Sequence, residues 1–177
     1  MPESLRIIES LEAVDANEWN ALTAGNPTLA HAFLDSLHRT GCASARSGWA
    51  PRYLTLWEGG RLQGAVPLYV KSHSYGEYVF DWAWADAYER NGLAYYPKLL
   101  CAVPFTPATG PRLLAVDTAV RTRLAKSLLA TARASDASSL HVLYPCEADA
   151  VALREAGMLE RSGMQFHWRN AGYATFD

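Results

Sequence analysis

The sequence contains little charge and almost no excess of one sign over the other. Sixteen Lys and Arg residues stand against 18 Asp and Glu residues in a chain of 177, which leaves a net charge of −2. Proteins dedicated to nucleic acid carry a basic surplus that neutralises phosphates, so we expect no DNA partner. Half of the residues are apolar, and this fraction excludes an intrinsically disordered chain.

Cysteine and long apolar runs are also scarce. The three cysteines lie far apart in the sequence and cannot all pair with one another, so we expect reduced thiols in a cytoplasmic protein. The apolar runs, such as Leu99–Val103, are much shorter than the ~20 residues of a membrane-spanning helix. The first residues show no secretory signal. We therefore expect one domain over residues 1–177, with no membrane span.

Caps, hydrophobic periodicity and turn residues predict a mixed α/β fold. The predicted elements, in chain order, are a strand at Leu5–Ile8, helices opened by Asp15 and Thr28, a hairpin of Tyr53–Trp57 and Leu62–Val70, a short helix ending at Asn91-Gly92, a strand at Leu99–Val103, an extended segment at Leu113–Val116, a helix capped by Asp117, a strand at Leu140–Tyr144, a helix at Glu147–Ala156 and a terminal hairpin at Met158–Arg169.

The second arm of the Tyr53–Val70 hairpin alternates between apolar and polar residues. Its even positions are mostly apolar, whereas Gln63, Tyr69 and Lys71 lie at odd positions. Period-two alternation predicts one buried face and one solvent face. Pro67 interrupts the arm and predicts an edge strand or a bulge at that point, because proline has no N–H for the ladder.

The order of predicted elements, with two helices after the first strand and a long helix after the central one, resembles the N-acetyltransferase (GNAT) architecture. Three longer stretches are more specific. Tyr78–Leu100 (YVFDWAWADAYERNGLAYYPKLL), Val103–Arg112 (VPFTPATGPR) and Gln165–Tyr173 (QFHWRNAGY) resemble the bacterial FemAB-like family, which is described as GNAT-superfamily proteins of peptidoglycan biosynthesis or recognition. The resemblance runs from about His31 to the C-terminus.

The resemblance implies a GNAT-like fold and transfer of an acyl or aminoacyl group to an amine acceptor in the cell envelope. Relatives of the Fem type use aminoacyl-tRNA as donor and a peptidoglycan precursor as acceptor. Acyl-CoA is the usual donor of GNAT enzymes. Family members are about twice as long as this chain, so it resembles their N-terminal half. The expected partner is therefore a missing C-terminal half or, in its place, a second copy in a homodimer.

The loop Thr106–Pro111 stands where GNAT enzymes have a Gln/Arg-x-x-Gly-x-Gly/Ala loop that cradles pyrophosphate. It has one glycine, and its prolines lack the N–H that phosphate contact requires. It is either a degenerate cofactor loop or a rigid connection, and the prolines favour the connection. Thr109, Gly110 and Arg112 would line a polar contact there. Arg112 either holds a phosphate or carboxylate in two hydrogen bonds or is an ordinary surface arginine.

Asp81 is the candidate catalytic residue. It lies among Phe80, Trp82 and Trp84, where loss of water would raise the pKa of a carboxyl group and suit it to take a proton from an attacking amine, or to orient that amine. The alternative is that the Asp81 side chain caps the helix that follows it.

The aromatic residues around Asp81 are the candidate substrate-binding residues. Trp82, Trp84, Tyr95 and Tyr96 would stack on a sugar ring or an apolar ligand surface, and Asp86 would accept from hydroxyl or ammonium groups. The alternatives are an aromatic core and a solvated acidic face. His167 lies on the polar side of the predicted terminal hairpin and is the histidine expected to meet a ligand.

No Cys or His spacing in the sequence is typical of a zinc site, so we expect no metal. Two other functions stay open besides transfer. The chain could be a non-catalytic half-domain that binds a peptidoglycan-type or other small ligand. It could also be an interaction module whose exposed apolar faces dock a second half or a second copy.

Overall fold

The computed structural model describes residues 3–79 and 81–175. Within these residues the chain forms eight strands and five α-helices. The strands are β1 (Ser4–Ile8), β2 (Trp49–Pro51), β3 (Tyr53–Glu58), β4 (Arg61–Val66), β5 (Leu68–Lys71), β6 (Lys98–Cys101), β7 (Leu114–Ala115) and β8 (Leu140–Val142). The helices are α1 (Ala16–Ala21), α2 (His31–Arg39), α3 (Trp82–Arg90), α4 (Thr118–Arg133) and α5 (Glu147–Glu155). No helix in the described residues is long and apolar enough to cross a membrane.

The strands form two four-stranded sheets. The first has the order β1-β3-β4-β7 and is antiparallel throughout. The second has the order β2-β5-β6-β8, and its β6–β8 pair is parallel. The chain changes sheet at Pro67, between β4 and β5. The interruption predicted at this proline is therefore the point where the chain passes from one sheet to the other. Proline suits this point because it has no N–H that would need a hydrogen-bond partner in either sheet.

Helical layers cover both faces of the strands. Helix α1 contributes Trp19 to one hydrophobic cluster and helix α4 contributes Leu124 to another. Neighbouring β3 residues enter different clusters, Tyr53 the first and Leu54 the second. Because successive side chains of a strand point to opposite faces, the two clusters lie on the two sides of the sheets.

The prediction of a solvent face on β5 is wrong. Neither Tyr69 nor Lys71 has any exposed surface. Tyr69 belongs to the cluster that contains Trp19 of α1. The alternation of polar and apolar residues predicts a wet face only for a sheet that is covered on one side, whereas both sides are covered here.

The predicted caps of α1 and α4 are confirmed. Asp15 accepts hydrogen bonds from the backbone N–H groups of Asn17 (2.9 Å) and Glu18 (3.1 Å). Asp117 accepts one from the backbone N–H of Val120 (2.8 Å). These carboxylates satisfy donors that have no partner within the helix and so determine where each helix begins.

The predicted terminal hairpin at Met158–Arg169 is wrong. Residues 159–175 form no helix or strand, and Met164, Phe166 and Trp168 are 87%, 95% and 76% exposed. Alternation yields a hairpin only where another layer covers its apolar face, and no described residue covers this one. Strand β2 was not predicted from the sequence, because its three residues are too few to show the alternation of apolar and polar residues that marks a strand.

Candidate functional site

Two buried lysines lie opposite each other on neighbouring strands. Lys71 of β5 is the register partner of Lys98 of β6, and neither side chain has exposed surface. Like charges directly opposite each other repel, and a buried ammonium group is unstable without a partner. The pair therefore requires carboxylates nearby, and the segment between the two strands supplies them.

Lys98 uses all three of its ammonium protons in this cluster. Its Nζ donates to Oδ2 of Asp81 (2.5 Å), to Oε2 of Glu77 (2.9 Å) and to Oγ of Ser74 (2.8 Å). An ammonium group has three donors and no acceptor, so its hydrogen bonding is complete. Lys98 thus ties β6 to three points of the segment that precedes α3.

The Asp81 carboxylate is strongly hydrogen-bonded. Besides Lys98, its Oδ2 accepts from Ser74 Oγ (2.9 Å) and from the hydroxyl of Tyr95 (2.8 Å). Burial alone would raise the pKa of Asp81, but these three hydrogen bonds outweigh it and lower the pKa below its usual value. The predicted rise in pKa is therefore wrong. The alternative of a side-chain cap is wrong as well, because Asp81 makes no such hydrogen bond to α3.

Glu77 and Lys71 are less well paired. Lys71 Nζ donates to the carbonyl of Tyr75 (3.1 Å), lies 3.7 Å from the ring centre of Trp49 and lies 4.0 Å from Oε1 of Glu77. That Oε1 and Oδ1 of Asp81 are buried and have no hydrogen-bond partner among the described residues. Burial raises the pKa of Glu77, and the hydrogen bond and charge of Lys98 offset this only in part.

The pKa of Lys71 is lowered to about 8, chiefly by burial and further by the charge of Lys98, against the opposing attraction of Glu77. Between about pH 8 and pH 10.4 the unfolded chain therefore binds more protons at this position than the folded one. In this pH range the free energy of unfolding therefore rises with pH, because unfolding takes up a proton at this position. At pH values below this window, the buried charge of Lys71 destabilises the fold.

We expect the substitution Lys71→Met to remove this contribution. Urea unfolding of both proteins at about pH 7.5 and about pH 9 should show the wild type gaining stability relative to the variant by about 1 kcal/mol. Lys126→Met, at an exposed position of α4, serves as the matched control and should keep a constant difference from the wild type. Parallel pH profiles for Lys71→Met and wild type would contradict the prediction.

Of the predicted aromatic residues, two join the buried cluster and two lie outside it. Tyr95 contacts Asp81, and Tyr96 shares a hydrogen bond with Ser74 Oγ (2.7 Å). Trp82 and Trp84 of α3 are 49% and 53% exposed. Phe80, which was expected beside Asp81, lies outside the described residues.

An exposed pair of rings lies next to the cluster, and we call it the aromatic surface. It consists of Tyr75 and Trp82, whose ring centres are 5.7 Å apart in an edge-to-face arrangement. Tyr75 is 66% exposed, and its carbonyl is the one that accepts from Lys71. The aromatic surface therefore adjoins the buried charges, and it offers apolar ring faces to a ligand.

Three other predicted site residues lie elsewhere. Asp86 is on the solvated face of α3 and pairs with Arg90 at 3.6 Å. Thr109 and His167 line an open groove, across which the Gln165 side chain donates to the carbonyl of Pro107 (2.6 Å). None of the buried charged residues lines that groove.

Gly110 and Arg112 are buried and hold the chain together. The Gly110 N–H donates to the carbonyl of Tyr144 (3.1 Å). The Arg112 guanidinium donates through Nε to the carbonyl of Leu143 (2.8 Å) and through its terminal nitrogens to Ala108 and one further carbonyl of the loop. Arg112 is therefore not a surface arginine, because its guanidinium is buried and hydrogen-bonded to carbonyl groups of the protein.

The histidines and acids gather no metal site among the described residues, since no group of three or more His, Cys, Asp or Glu side chains lies close enough to hold an ion. His141 shares a hydrogen bond with Ser139 Oγ (2.9 Å). Burial, with the charge of Lys98, lowers the pKa of His141 to about 4. At neutral pH this imidazole is uncharged.

A family described as peptidoglycan biosynthesis/recognition matches residues 10–177. The chain belongs to the FemAB-like family. No curated protein and no solved structure matches it significantly. The aromatic surface and the adjoining buried charges both lie within the matched residues.

Four residues of the buried cluster in this FemAB-like chain were not predicted as site residues from the sequence. They are the two lysines, Lys71 and Lys98, together with Glu77 and Ser74. One signal was available. The chain has three lysines against 13 arginines, and two of those lysines adjoin apolar runs, Lys71 after Leu68–Val70 and Lys98 before Leu99–Val103. A lysine can lose its proton when buried, whereas an arginine cannot, so scarce lysines beside apolar runs are worth testing for burial.

Proposed function

We propose that this FemAB-like chain is an acyl- or aminoacyl-transferase domain with a GNAT-like fold, acting on an amine acceptor in peptidoglycan metabolism. The order of its elements, with α1 and α2 after β1 and the long α4 after β7, supports the GNAT-like fold. The family description supports a peptidoglycan precursor as acceptor. The donor is acyl-CoA or aminoacyl-tRNA.

The observation that carries this proposal is an ionised carboxylate beside exposed aromatic rings. The hydrogen bonds to Oδ2 keep Asp81 ionised at neutral pH, and Oδ1 has no partner among the described residues. A carboxylate with a lowered pKa is a weak base but a good acceptor of hydrogen bonds. Of the two roles that the sequence left open, orientation of the amine by Oδ1 is therefore favoured over removal of its proton.

Access to Asp81 requires the start of α3 to move. Asp81 is 3% exposed, so an amine cannot reach Oδ1 unless a neighbouring segment moves, and the helix that follows Asp81 is the segment that we expect to move. No residue of α3 is buried, and a helix with few buried apolar contacts is displaced at low cost. The Trp82 indole would then stack on the sugar or peptide part of the acceptor, which positions the amine for transfer.

We expect Trp82→Ala to weaken acceptor binding without unfolding the protein. Loss of one aromatic contact corresponds to about 0.5–1.5 kcal/mol, or roughly a twofold to twelvefold rise in Kd. Calorimetric titration with a peptidoglycan-precursor fragment that carries a free amine would measure it. The matched control is Trp168→Ala, which removes another exposed indole, this one from the segment 159–175. Equal affinity for the two variants would contradict the role of Trp82.

The transfer step itself is tested with Asp81→Asn and labelled donors. We expect the wild type to move the label from acyl-CoA or aminoacyl-tRNA to the amine, and the variant to do so about 100-fold more slowly because the amine is no longer held in position. Circular dichroism must first show that the variant is folded, because the introduced amide lacks the charge that pairs with Lys98. If the wild type transfers no label from either donor, the proposal of a transferase fails.

A second candidate function is recognition of a precursor without catalysis, and the loop before β7 favours it. A pyrophosphate cradle needs free backbone N–H groups. Pro107 and Pro111 have none, and the Gly110 N–H is already bound to Tyr144. Saturable binding of the precursor fragment, with no label transferred in the presence of both donors, would select this function.

A further inference from the structure

We propose that Lys71 and Lys98 form a binding site for a phosphate group, and that the Glu77 carboxylate occupies this site when no ligand is bound. The inference concerns the lysine pair and does not depend on acyl transfer. Three features of the structure support the site. They are the positions of the charged residues in the fold, the small number of hydrogen bonds to Glu77 and the backbone conformation around Glu77.

The cations and anions of the cluster are carried by different parts of the fold. Both lysines lie on paired strands, Lys71 on β5 and Lys98 on β6. Both carboxylates, Glu77 and Asp81, lie on the segment that connects these strands. The lysines therefore keep their positions when the part of the segment that carries Glu77 shifts. Lys98 then keeps Asp81 as its partner, whereas Lys71 loses its nearest carboxylate, and an anion beside the two ammonium groups would restore the balance of charge.

Glu77 is the carboxylate that a ligand would displace. Asp81 accepts three hydrogen bonds through Oδ2, from Lys98, Ser74 and Tyr95. Glu77 accepts one, from Lys98, and its Oε1 stays 4.0 Å from Lys71 without a hydrogen-bond partner among the described residues. Displacing Glu77 thus breaks one hydrogen bond and leaves the network of Asp81 in place.

A phosphate group fits the unused donors better than a carboxylate does. Within the described residues Lys71 donates one hydrogen bond, to the Tyr75 carbonyl, although its ammonium group has three protons. Glu77 has only two carboxylate oxygens, and the one nearer to a lysine is Oε2, which lies 2.9 Å from Lys98 Nζ. A phosphate presents three or more oxygens in a tetrahedral arrangement with a charge of about −2, so it can accept from both lysines at once.

The backbone turns through the left-handed region on either side of Glu77, and it is strained at Tyr78. Gly76 has φ +80° and Tyr78 has φ +57°. The left-handed region suits glycine but costs a residue with a side chain about 1–2 kcal/mol. Tyr78 is also 56% exposed, so its side chain gains little burial in return. A movement of residues 76–78 that carries Glu77 out of the site and takes Tyr78 out of the left-handed region would release this strain, which lowers the cost of admitting a ligand.

Calorimetric titration with inorganic pyrophosphate tests the site. We expect weak saturable binding to the wild type and about tenfold tighter binding to Glu77→Gln, because the competing carboxylate has lost its charge. The matched control, Glu89→Gln, removes an exposed acid of α3 and should bind like the wild type. Lys71→Met should lose the binding. If Glu77→Gln binds pyrophosphate no more tightly than the wild type, the proposal is overturned.

A measurement on the unmodified chain guards against misfolded variants. Hydrogen exchange of the backbone amides in residues 72–79 should speed up when pyrophosphate is added, because Glu77 leaves the lysines. Unchanged exchange at saturating pyrophosphate would also overturn the proposal. Titration with a nucleoside diphosphate then distinguishes two sources of the phosphate: tighter binding than pyrophosphate indicates a nucleotide-linked ligand, and equal binding indicates the phosphate group alone.

Discussion

Replacing Lys98 by methionine should lower the free energy of unfolding by about 3–5 kcal/mol, as measured by urea unfolding at neutral pH. The substitution keeps the unbranched side chain, one atom shorter, but leaves two buried carboxylates, those of Asp81 and Glu77, without the ammonium group to which both are hydrogen-bonded. An unpaired buried charge is far more costly than the lost hydrogen bonds alone. The matched control, Lys126→Met on the exposed face of α4, should change stability by less than about 0.5 kcal/mol.

The origin of this loss can be checked by removing the unpaired charges as well. Adding Asp81→Asn and Glu77→Gln to Lys98→Met should recover part of the lost stability, because a neutral polar group is less costly to bury than a charge. If the triple variant is less stable than Lys98→Met alone, the effect of Lys98 comes from packing and not from charge. A loss below about 1 kcal/mol for Lys98→Met would show that the ion pairs contribute little.

The second large effect is expected at Asp149 of α5, which has no exposed surface. Its carboxylate accepts from the backbone N–H groups of Arg112 (2.6 Å) and Leu113 (3.0 Å) and from Nε of Arg121 (3.0 Å). Asp149→Ala leaves two buried N–H groups without acceptors and one guanidinium without its partner. We expect a loss of about 3–5 kcal/mol in the free energy of unfolding.

Two controls identify which contacts matter at Asp149. Asp136→Ala removes an exposed carboxylate after α4 and should be nearly neutral. Arg121→Ala removes the partly exposed partner, 24% exposed at its side chain, and should cost about 1 kcal/mol because water can replace it. If Arg121→Ala costs as much as Asp149→Ala, the ion pair and not the two backbone contacts holds α5 to the chain before β7.

The buried charges connect stability to function in this domain. The same lysines that hold Glu77 and Asp81 would receive a phosphate, and the same Asp81 would orient an amine. If the protein binds pyrophosphate but transfers no label, the phosphate site at the lysines is supported and the transferase activity is not. If the protein transfers the label but does not bind pyrophosphate, the role of Asp81 is supported and Glu77 has a structural role only.

Much of the local structure could be predicted from the sequence because it depends on neighbouring residues. Asp15 and Asp117 cap helices through backbone groups two or three residues away. The turn at Gly59-Gly60 joins β3 to β4 because glycine adopts positive φ, here 59° and 81°, without steric cost. The long stretches that resemble the FemAB-like family likewise led to the family that matches residues 10–177.

The candidate site could be predicted only in part. Asp81 was selected because of its aromatic neighbours in the sequence, but burial of its carboxyl group is outweighed by hydrogen bonds from Lys98, Ser74 and Tyr95, which lower its pKa from 17, 7 and 14 residues away. The indoles beside it are exposed, whereas Tyr69, expected at the surface, is buried. Whether a side chain meets water depends on which layers cover it, and periodicity within one strand contains no information about those layers.

The order of residues along the chain therefore determined the helix starts, the β3–β4 turn and the family, since each depends on contacts or patterns of short range. Tertiary structure alone decided that Lys71 and Lys98 stand opposite each other, that Glu77 and Asp81 reach them, and that residues 159–175 form no hairpin. Those outcomes depend on strand register and on packing between distant segments, where a shift of one residue would turn a buried lysine to the other face.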